Sequence, residues 1–352
     1  MLEIVELPVP DRPGAAGWDD FVATADVDNA CQVAGYGTTD VVTTAEERLP
    51  HWHDPETGGR LIAARWNGEI VGRLADRWTH EAPDAGFIDL QVLPSAQGHG
   101  IGSALSERLE QLAHELEQRK LITYAVSSDA PGERLVPPTG FGSLPAGNRE
   151  VRFLLARGWR LEQVERGSRF ALPPNRAALA ELRRGAEQHA DGYVVHSWIG
   201  LTPETFRVDM AALLERMTTD APTAGLEEAP EIWDADRVLE HETRLAAAPA
   251  DLLTTAVEHT PTGRLAGFTR LSVPHDDRVV NQWDTIVRSQ DRGHRLGMLL
   301  KIANLEALDD RLPGHPSVVT WNAEENRHML AVNEAIGFEA IGYEGAWRKD
   351  LA

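Results

Sequence analysis

The sequence predicts an α/β (α+β) fold built as two tandem copies of one unit. Three observations carry that reading. The chain has 352 residues, more than one hydrophobic core usually serves. Gln97-Gly98-His99-Gly100-Ile101-Gly102 and Arg292-Gly293-His294-Arg295-Leu296-Gly297 stand 195 residues apart. Each follows a strand-like segment and opens a helix-like one, and the same offset aligns Gly72 with Gly267, Asp89 with Asp284, Val92 with Val287 and Leu105 with Leu300. A glycine-rich coincidence would not bring the upstream strands into register as well, so the pattern is an internal duplication.

Each element repeats. The opening Met1-Leu2-Glu3-Ile4-Val5-Glu6 alternates apolar and acidic residues and reads as a strand, not as a signal peptide. Residues 60–66 read as a strand, Asn67-Gly68 as a type I′ turn, and 69–77 as the returning strand. In the second copy 252–259, the turn Thr260-Pro261-Thr262-Gly263 and 264–273 repeat that hairpin. Strands at 86–93 and 281–288 lead into the glycine loops. Helices follow at 103–119 and 298–308, with apolar residues at helical spacing. Further strands at 121–127 and 317–321 come next, and each copy closes with a short helix and Gly158-Trp159 or Gly337-Phe338. Residues 128–148, rich in Pro and Gly, hold 16 residues more than the second copy and read either as a lid or as a surface insertion. Pro173-Pro174 ends the first domain (1–173), a capped charged helix links (174–191), and the second domain spans 192–352.

Composition narrows the function. The formal net charge of −21 is spread over both halves and argues against nucleic acid as a partner. No apolar run approaches the roughly 18–20 residues that span a bilayer, so no membrane partner is expected. The single Cys31 leaves no disulfide framework or cysteine metal site, and a reducing cytoplasm is the expected location. His51-Trp52-His53 has no third ligand at a recognisable spacing, so no metal is expected.

The glycine loops are phosphate signals in themselves, because free N–H groups and the positive end of a helix dipole meet there. Their setting makes the signal specific. The order of hairpin, strand, Q/R-x-x-G-x-G/A loop, helix, strand, helix and Gly-aromatic pair resembles the GNAT superfamily of N-acetyltransferases, twice over. The tandem layout is similar to that of mycothiol synthase-like actinobacterial proteins. This resemblance implies two GNAT domains, each a mixed, mostly antiparallel sheet flanked by helices, forming a pseudo-dimer. It implies acetyl-CoA as co-substrate, held by Val92, Gln97, Gly98, His99, Gly100, Ile101, Gly102 and Ser103, and in the second copy by Val287, Arg292, Gly293, His294, Arg295, Leu296, Gly297 and Met298. Arg295 stands where the family has glycine: either its guanidinium adds a phosphate contact or the loop has drifted.

Asn322, Asn326 and Asn333 would line the pantetheine arm, with helix capping as the alternative reading. Asn333 and Leu154 stand where many relatives carry the tyrosine that protonates the leaving thiolate, and neither side chain is an acid. Asp89 and Asp284 are the candidate catalytic carboxylates, three residues before Val92 and Val287. The implied activity is direct acetyl transfer to a small-molecule amine by a monomer or homodimer. The alternatives are a catalytically degenerate CoA-binding sensor and a protein-lysine acetyltransferase. Which copy works stays open in the sequence.

Overall fold

Asn67 and Gly68 both take positive φ, 54° and 92°, the turn geometry that matches strand twist, and they close the first hairpin. The computed structural model describes residues 1–220, 222–227 and 229–351. The chain opens with β1 (Leu2–Leu7), α1 (Trp18–Tyr36), α2 (Ala45–Trp52) and the hairpin β2 (Thr57–Trp66) and β3 (Glu69–Thr79). Then come β4 (Ala85–Val92), α3 (Ile101–Glu115), β5 (Lys120–Ser127), the short ladder β6 (Arg134–Leu135) and β7 (Leu144–Pro145), α4 (Arg149–Leu155) and β8 (Arg160–Ala171). The next stretch holds α5 (Arg176–Glu187), β9 (Tyr193–Ile199), α6 (Glu204–Asp220) and α7 (Ala235–Leu245). It continues with the hairpin β10 (Ala250–His259) and β11 (Arg264–Pro274), then β12 (Val280–Val287) and α8 (Leu296–Arg311). The chain ends with β13 (Ser317–Ala323), α9 (Arg327–Ile336) and β14 (Glu339–Asp350).

Two compact units result: Met1–Arg166 with Thr223–Ala229 and the chain from Gly342 on, and Gly167–Pro222 with Pro230–Ile341. The grouping is not contiguous in sequence, because β14 pairs antiparallel with β5, from Tyr343↔Ser127 to Asp350↔Lys120.

In the first unit the strand order is β1-β2-β3-β4-β5-β14-β8. The β1–β2, β2–β3 and β3–β4 pairs are antiparallel, and β4–β5 is parallel. Ile101, Leu105, Leu109 and Leu112 recur at helical spacing, so α3 lays one apolar face on Leu74 and Leu121. Leu105 has no exposed surface, and truncating such a leucine to alanine costs about 2–5 kcal/mol. On a second core Phe21 and Ala25 of α1 meet Ala63 and Ala75 of the hairpin. The repeat pattern in the sequence does not mark α1 and α2. Polar residues interrupt the apolar ones all round α1 (Asp26, Asp28, Asn29, Gln32), which blurs its periodicity.

In the second unit β9, β10, β11, β12 and β13 are neighbours in that order. Only β12–β13 is parallel among these pairs. Ile302 and Leu305 of α8 pack with Leu253, Leu271 and Val318, while Met210 and Leu214 of α6 pack with Phe268. Mixed, mostly antiparallel sheets flanked by helices are thus present, as the sequence predicts. The insertion at 128–148 is a compact loop: Arg134 bonds Asp129 (2.7 Å) and the Ser143 carbonyl (2.7 Å).

Candidate functional site

A parallel pair of strands that part company creates an edge of unpaired backbone groups. In the first unit β4 and β5 pair only from Ala85↔Lys120 to Ile88↔Thr123. Beyond that point β5 turns to β14 alone. The N–H of Leu93 bonds the Val71 carbonyl at 2.8 Å, so the odd-numbered residues at this end of β4 face β3. By strand alternation the amides of Leu90 and Val92 then face the parted edge. In the second unit β12 and β13 part sooner, after Asn281↔Val319. The N–H of Arg288 bonds the Ala266 carbonyl, so the amide of Val287 faces its own parted edge.

The glycine loops begin where these edges end. Gly98 and Gly100 take φ of 85° and 82°. The first helical bond of α3 runs from Ala104 N–H to the Gly100 carbonyl (3.0 Å), which leaves the N–H groups of Ile101, Gly102 and Ser103 pointing out of the helix start. Two cationic side chains stand beside them. Arg149 Nη1 donates to Gln97 Oε1 (2.9 Å), and Arg157 Nη2 donates to Ser103 Oγ (2.8 Å). Gln97 Nε2 donates to the Val92 carbonyl (3.1 Å), tying the loop to the strand end. His99 packs against Trp66 with the rings tilted 47° and contacts the Ala96 carbonyl through Nδ1 (3.2 Å). Ile101 is core, not surface.

The second loop reproduces this frame with different chemistry. Arg292 Nε donates to the Val287 carbonyl (3.3 Å), as Gln97 does to Val92. Its Nη2, however, is held by Asp220 at 2.8 Å, an acidic group that the first loop does not have in this place. Arg295 takes φ 53°, the left-handed conformation of Gly100. The loop has therefore kept its path, at a backbone cost of about 1–2 kcal/mol. Leu299 N–H closes onto the Arg295 carbonyl (3.1 Å), leaving the N–H groups of Leu296, Gly297 and Met298 at the helix start. Gly293 takes φ 90°, and His294 Nδ1 contacts the His189 carbonyl (3.0 Å).

Downstream, Asn326 caps α9, its Oδ1 accepting from Met329 N–H (3.3 Å). Asn333 Nδ2 donates to Asn322 Oδ1 (2.7 Å) and is buried. These two amides engage each other, and Leu154 is buried in the first unit's core.

The structure adds a device that the sequence hides. In each unit a buried arginine on the third strand of the repeat pairs with a helix carboxylate and stands within electrostatic reach of the candidate aspartate. Arg73 Nη1 lies 3.6 Å from Asp28 of α1 and Nη2 lies 3.8 Å from Asp89. Arg48 also grips Asp28 (2.6 Å). Asp28 is pushed up by burial, yet Arg48 and Arg73 together hold it below its ordinary range. Asp89 is about two-fifths exposed. In the second unit Arg270 and Glu242 form a buried pair at 2.6 Å, and Glu242 also accepts from the N–H and hydroxyl of Thr202. Asp284 is pushed up by burial, with Arg270 and His241 pulling it down. A bulge in β12 opposite Arg270 shifts the pairing from Leu271↔Gln282 to Thr269↔Thr285, and Gln282 fills it by donating to Thr269 Oγ1 (2.7 Å).

Cys31 lies outside the repeated motif in sequence, but its Sγ reaches the Val92 carbonyl (3.3 Å). Burial and then Asp28 push its thiol up to about 11, so it stays protonated near neutral pH. His53 Nε2 contacts the Pro10 carbonyl (3.0 Å). Among the described residues no group of three or more His, Cys, Asp or Glu side chains is placed to hold a metal, and no helix is long and apolar enough to cross a membrane.

The sequence profile of the Acetyltransferase (GNAT) family matches residues 23–135. Among curated proteins none matches the chain in sequence. A tandem GNAT protein from the clavulanic acid biosynthesis pathway is similar in structure at 25% identity, with 99% of this chain and 98% of that one covered and a TM-score of 0.73. A GCN5-related N-acetyltransferase from Sphaerobacter thermophilus shares the fold at 15% identity, covering 99% and 95%, TM-score 0.63. A putative acetyltransferase from Pyrococcus horikoshii shares it at 13% identity, covering 100% and 90%, TM-score 0.55. The chain therefore carries a GNAT acetyltransferase domain and has the layout of a tandem GNAT protein.

Proposed function

We propose that the chain is an acetyl-CoA-dependent N-acetyltransferase that acetylates a small-molecule amine by direct transfer, and that the first unit performs the chemistry. The observation that carries this reading is the convergence, in that unit, of a parted strand edge, a three-glycine loop flanked by Arg149 and Arg157, and the carboxylates around Arg73. The loop fits a pyrophosphate: the orphan N–H groups of Ile101, Gly102 and Ser103 and two guanidinium groups offer donors that an anion would satisfy. In the second loop Asp220 already occupies the Arg292 guanidinium, which disfavours a further anion there.

Acetyl-CoA supplies the acetyl group as a thioester, whose C–S bond is exchanged for a C–N bond as the thiol departs. The N–H of Val92 on the parted edge is placed to donate to a carbonyl oxygen, and Val287 is its counterpart. Asp89, with Asp284 as its counterpart, attracts the ammonium group of the acceptor. Cys31 remains a thiol, which favours direct transfer over a covalent relay. A cytoplasmic monomer or homodimer, with repeats at 1–173 and 192–352 joined by 174–191, completes the proposal.

The test is thiol release from acetyl-CoA against a panel of primary amines, in the native chain and in two paired variants. Gly98→Val with Gly102→Val is expected to abolish release, and Gly293→Val with Gly297→Val to leave most of it. CoA binding with no release on any amine would favour the sensor reading, which the non-acidic Asn333 and Leu154 motivate.

A further inference from the structure

The last strand of the chain brings a carboxyl group to the first unit that no loop or repeat signal marks. Glu344 of β14 stands directly across from Val126 of β5. Directly opposed residues of an antiparallel pair share a face. That face looks onto α1: a Cβ at Gly35 of α1 would collide with Val126. Two residues before Glu344, Gly342 has no side chain, and a Cβ there would lie 2.6 Å from the Tyr36 ring. Tyr36 therefore lies across Gly342, and its hydroxyl donates to Glu344 Oε2 at 3.0 Å. Asp28 and Asp89 lie within electrostatic reach of the Glu344 carboxyl. Glu344, Tyr36, Asp28 and Asp89 thus gather on the α1 side of the strands where β4 and β5 part.

We propose that Glu344, delivered by the final strand, is the group that takes the proton from the acceptor's alkylammonium nitrogen in the first unit. This assignment rests on the N-acetyltransferase reading above. In the step an N–H bond breaks with its electron pair left on nitrogen, and an O–H bond forms on Glu344. The proton then leaves to water, and nothing is oxidised or reduced.

The other carboxylates near the site are less suited to the task. Asp28 is gripped by Arg48 and Arg73, which make its carboxyl a poor proton acceptor, and Asp89 already has the Arg73 guanidinium as its partner, Nη2 lying 3.8 Å from Oδ2. Glu344 has no arginine or lysine partner among the described residues, and its hydrogen bond is to a hydroxyl. The titratable groups that act on it are Tyr36 and Asp28 of α1 and Asp89 of β4, and Tyr124 of β5, across from Ala346, stands on the same face of the sheet; Arg73 lies beyond them, against Asp28 and Asp89. Burial, with Asp89 and Asp28 adding to it against the pull of Tyr36, pushes Glu344 up to about 7. That is where a general base works best near neutral pH.

The experiment is the pH dependence of kcat/KM for acetyl transfer to a primary alkylamine, in the native chain, Glu344→Gln, Asp89→Asn and Tyr36→Phe. CoA affinity is measured on each by calorimetry, and the carboxyl titration is followed by infrared difference spectroscopy. Native protein is expected to show a rising limb with a midpoint near 7 and a matching carboxyl signal. Glu344→Gln should lose both, with activity down about 100-fold and CoA affinity unchanged within about threefold. Tyr36→Phe removes the bond that favours the ionised form, so it should move limb and signal to higher pH. A Glu344→Gln protein that keeps the native rate and limb, or an Asp89→Asn protein that loses them instead, overturns the assignment alone. No thiol release from the native chain on any amine overturns it together with the N-acetyltransferase reading.

Discussion

Asp76 on β3 has no exposed surface, yet it carries a carboxyl group. Gln118 Nε2 donates to its Oδ1 at 3.0 Å, and Oδ2 is buried with no partner among the described residues. Burial pushes the group up to about 7, against the one bond from Gln118, from an ordinary value of 3.8. The folded protein thus holds this proton more tightly than the unfolded chain does. The stability it contributes is complete below about pH 4, declines as pH rises toward 7, and is absent above that. A rise of that size corresponds to roughly 4 kcal/mol. Asp76→Asn keeps the shape and removes the titration. Relative to the difference at full protonation, it should raise stability by about 3–4 kcal/mol at pH 8 and by only about 1–2 kcal/mol at pH 5. Urea midpoints of native and variant protein, compared at several pH values from 5 to 8.5, measure the difference curve directly. A difference flat with pH, or a variant less stable than native at pH 8, would refute the reasoning.

Other expectations follow from the same geometry. Glu242→Gln strips the buried Arg270 of its counter-charge and should cost about 3–5 kcal/mol, read as a lower urea midpoint. Arg295→Gly relieves a left-handed backbone position and should raise the melting temperature slightly, by about 1 kcal/mol of stability. Cys31, held as a thiol, should react with an aromatic disulfide at pH 7.5 at least about tenfold more slowly than free cysteine, and a native rate equal to the free rate would contradict its burial.

Local chemistry made much of the fold legible. Asn67-Gly68 announces its hairpin, and the glycine loops announce strand ends and helix starts that fall within a few residues of those observed. The left-handed Gly100 and Arg295 show that the repeat preserves backbone path even where side chains change. Other features escaped because they are made by distant parts of the chain. Cys31 meets Val92 across 61 positions, and Tyr36 meets Glu344 across 308. No local pattern encodes such contacts. Arg73 and Arg270 play parallel parts but miss the constant offset by two residues along their strands, and the bulge at β12 lies opposite the second of them. Gln97 and Arg292 brace their strand ends alike through different donors, so likeness of role shows only in three dimensions.

A crystal structure of the chain with CoA tests the central claim most directly. The account predicts pyrophosphate density against the N–H groups of Ile101, Gly102 and Ser103, near Arg149 and Arg157, and the pantetheine arm along the parted edge at Val92. CoA held only by the loop from Arg292 to Gly297 would contradict it.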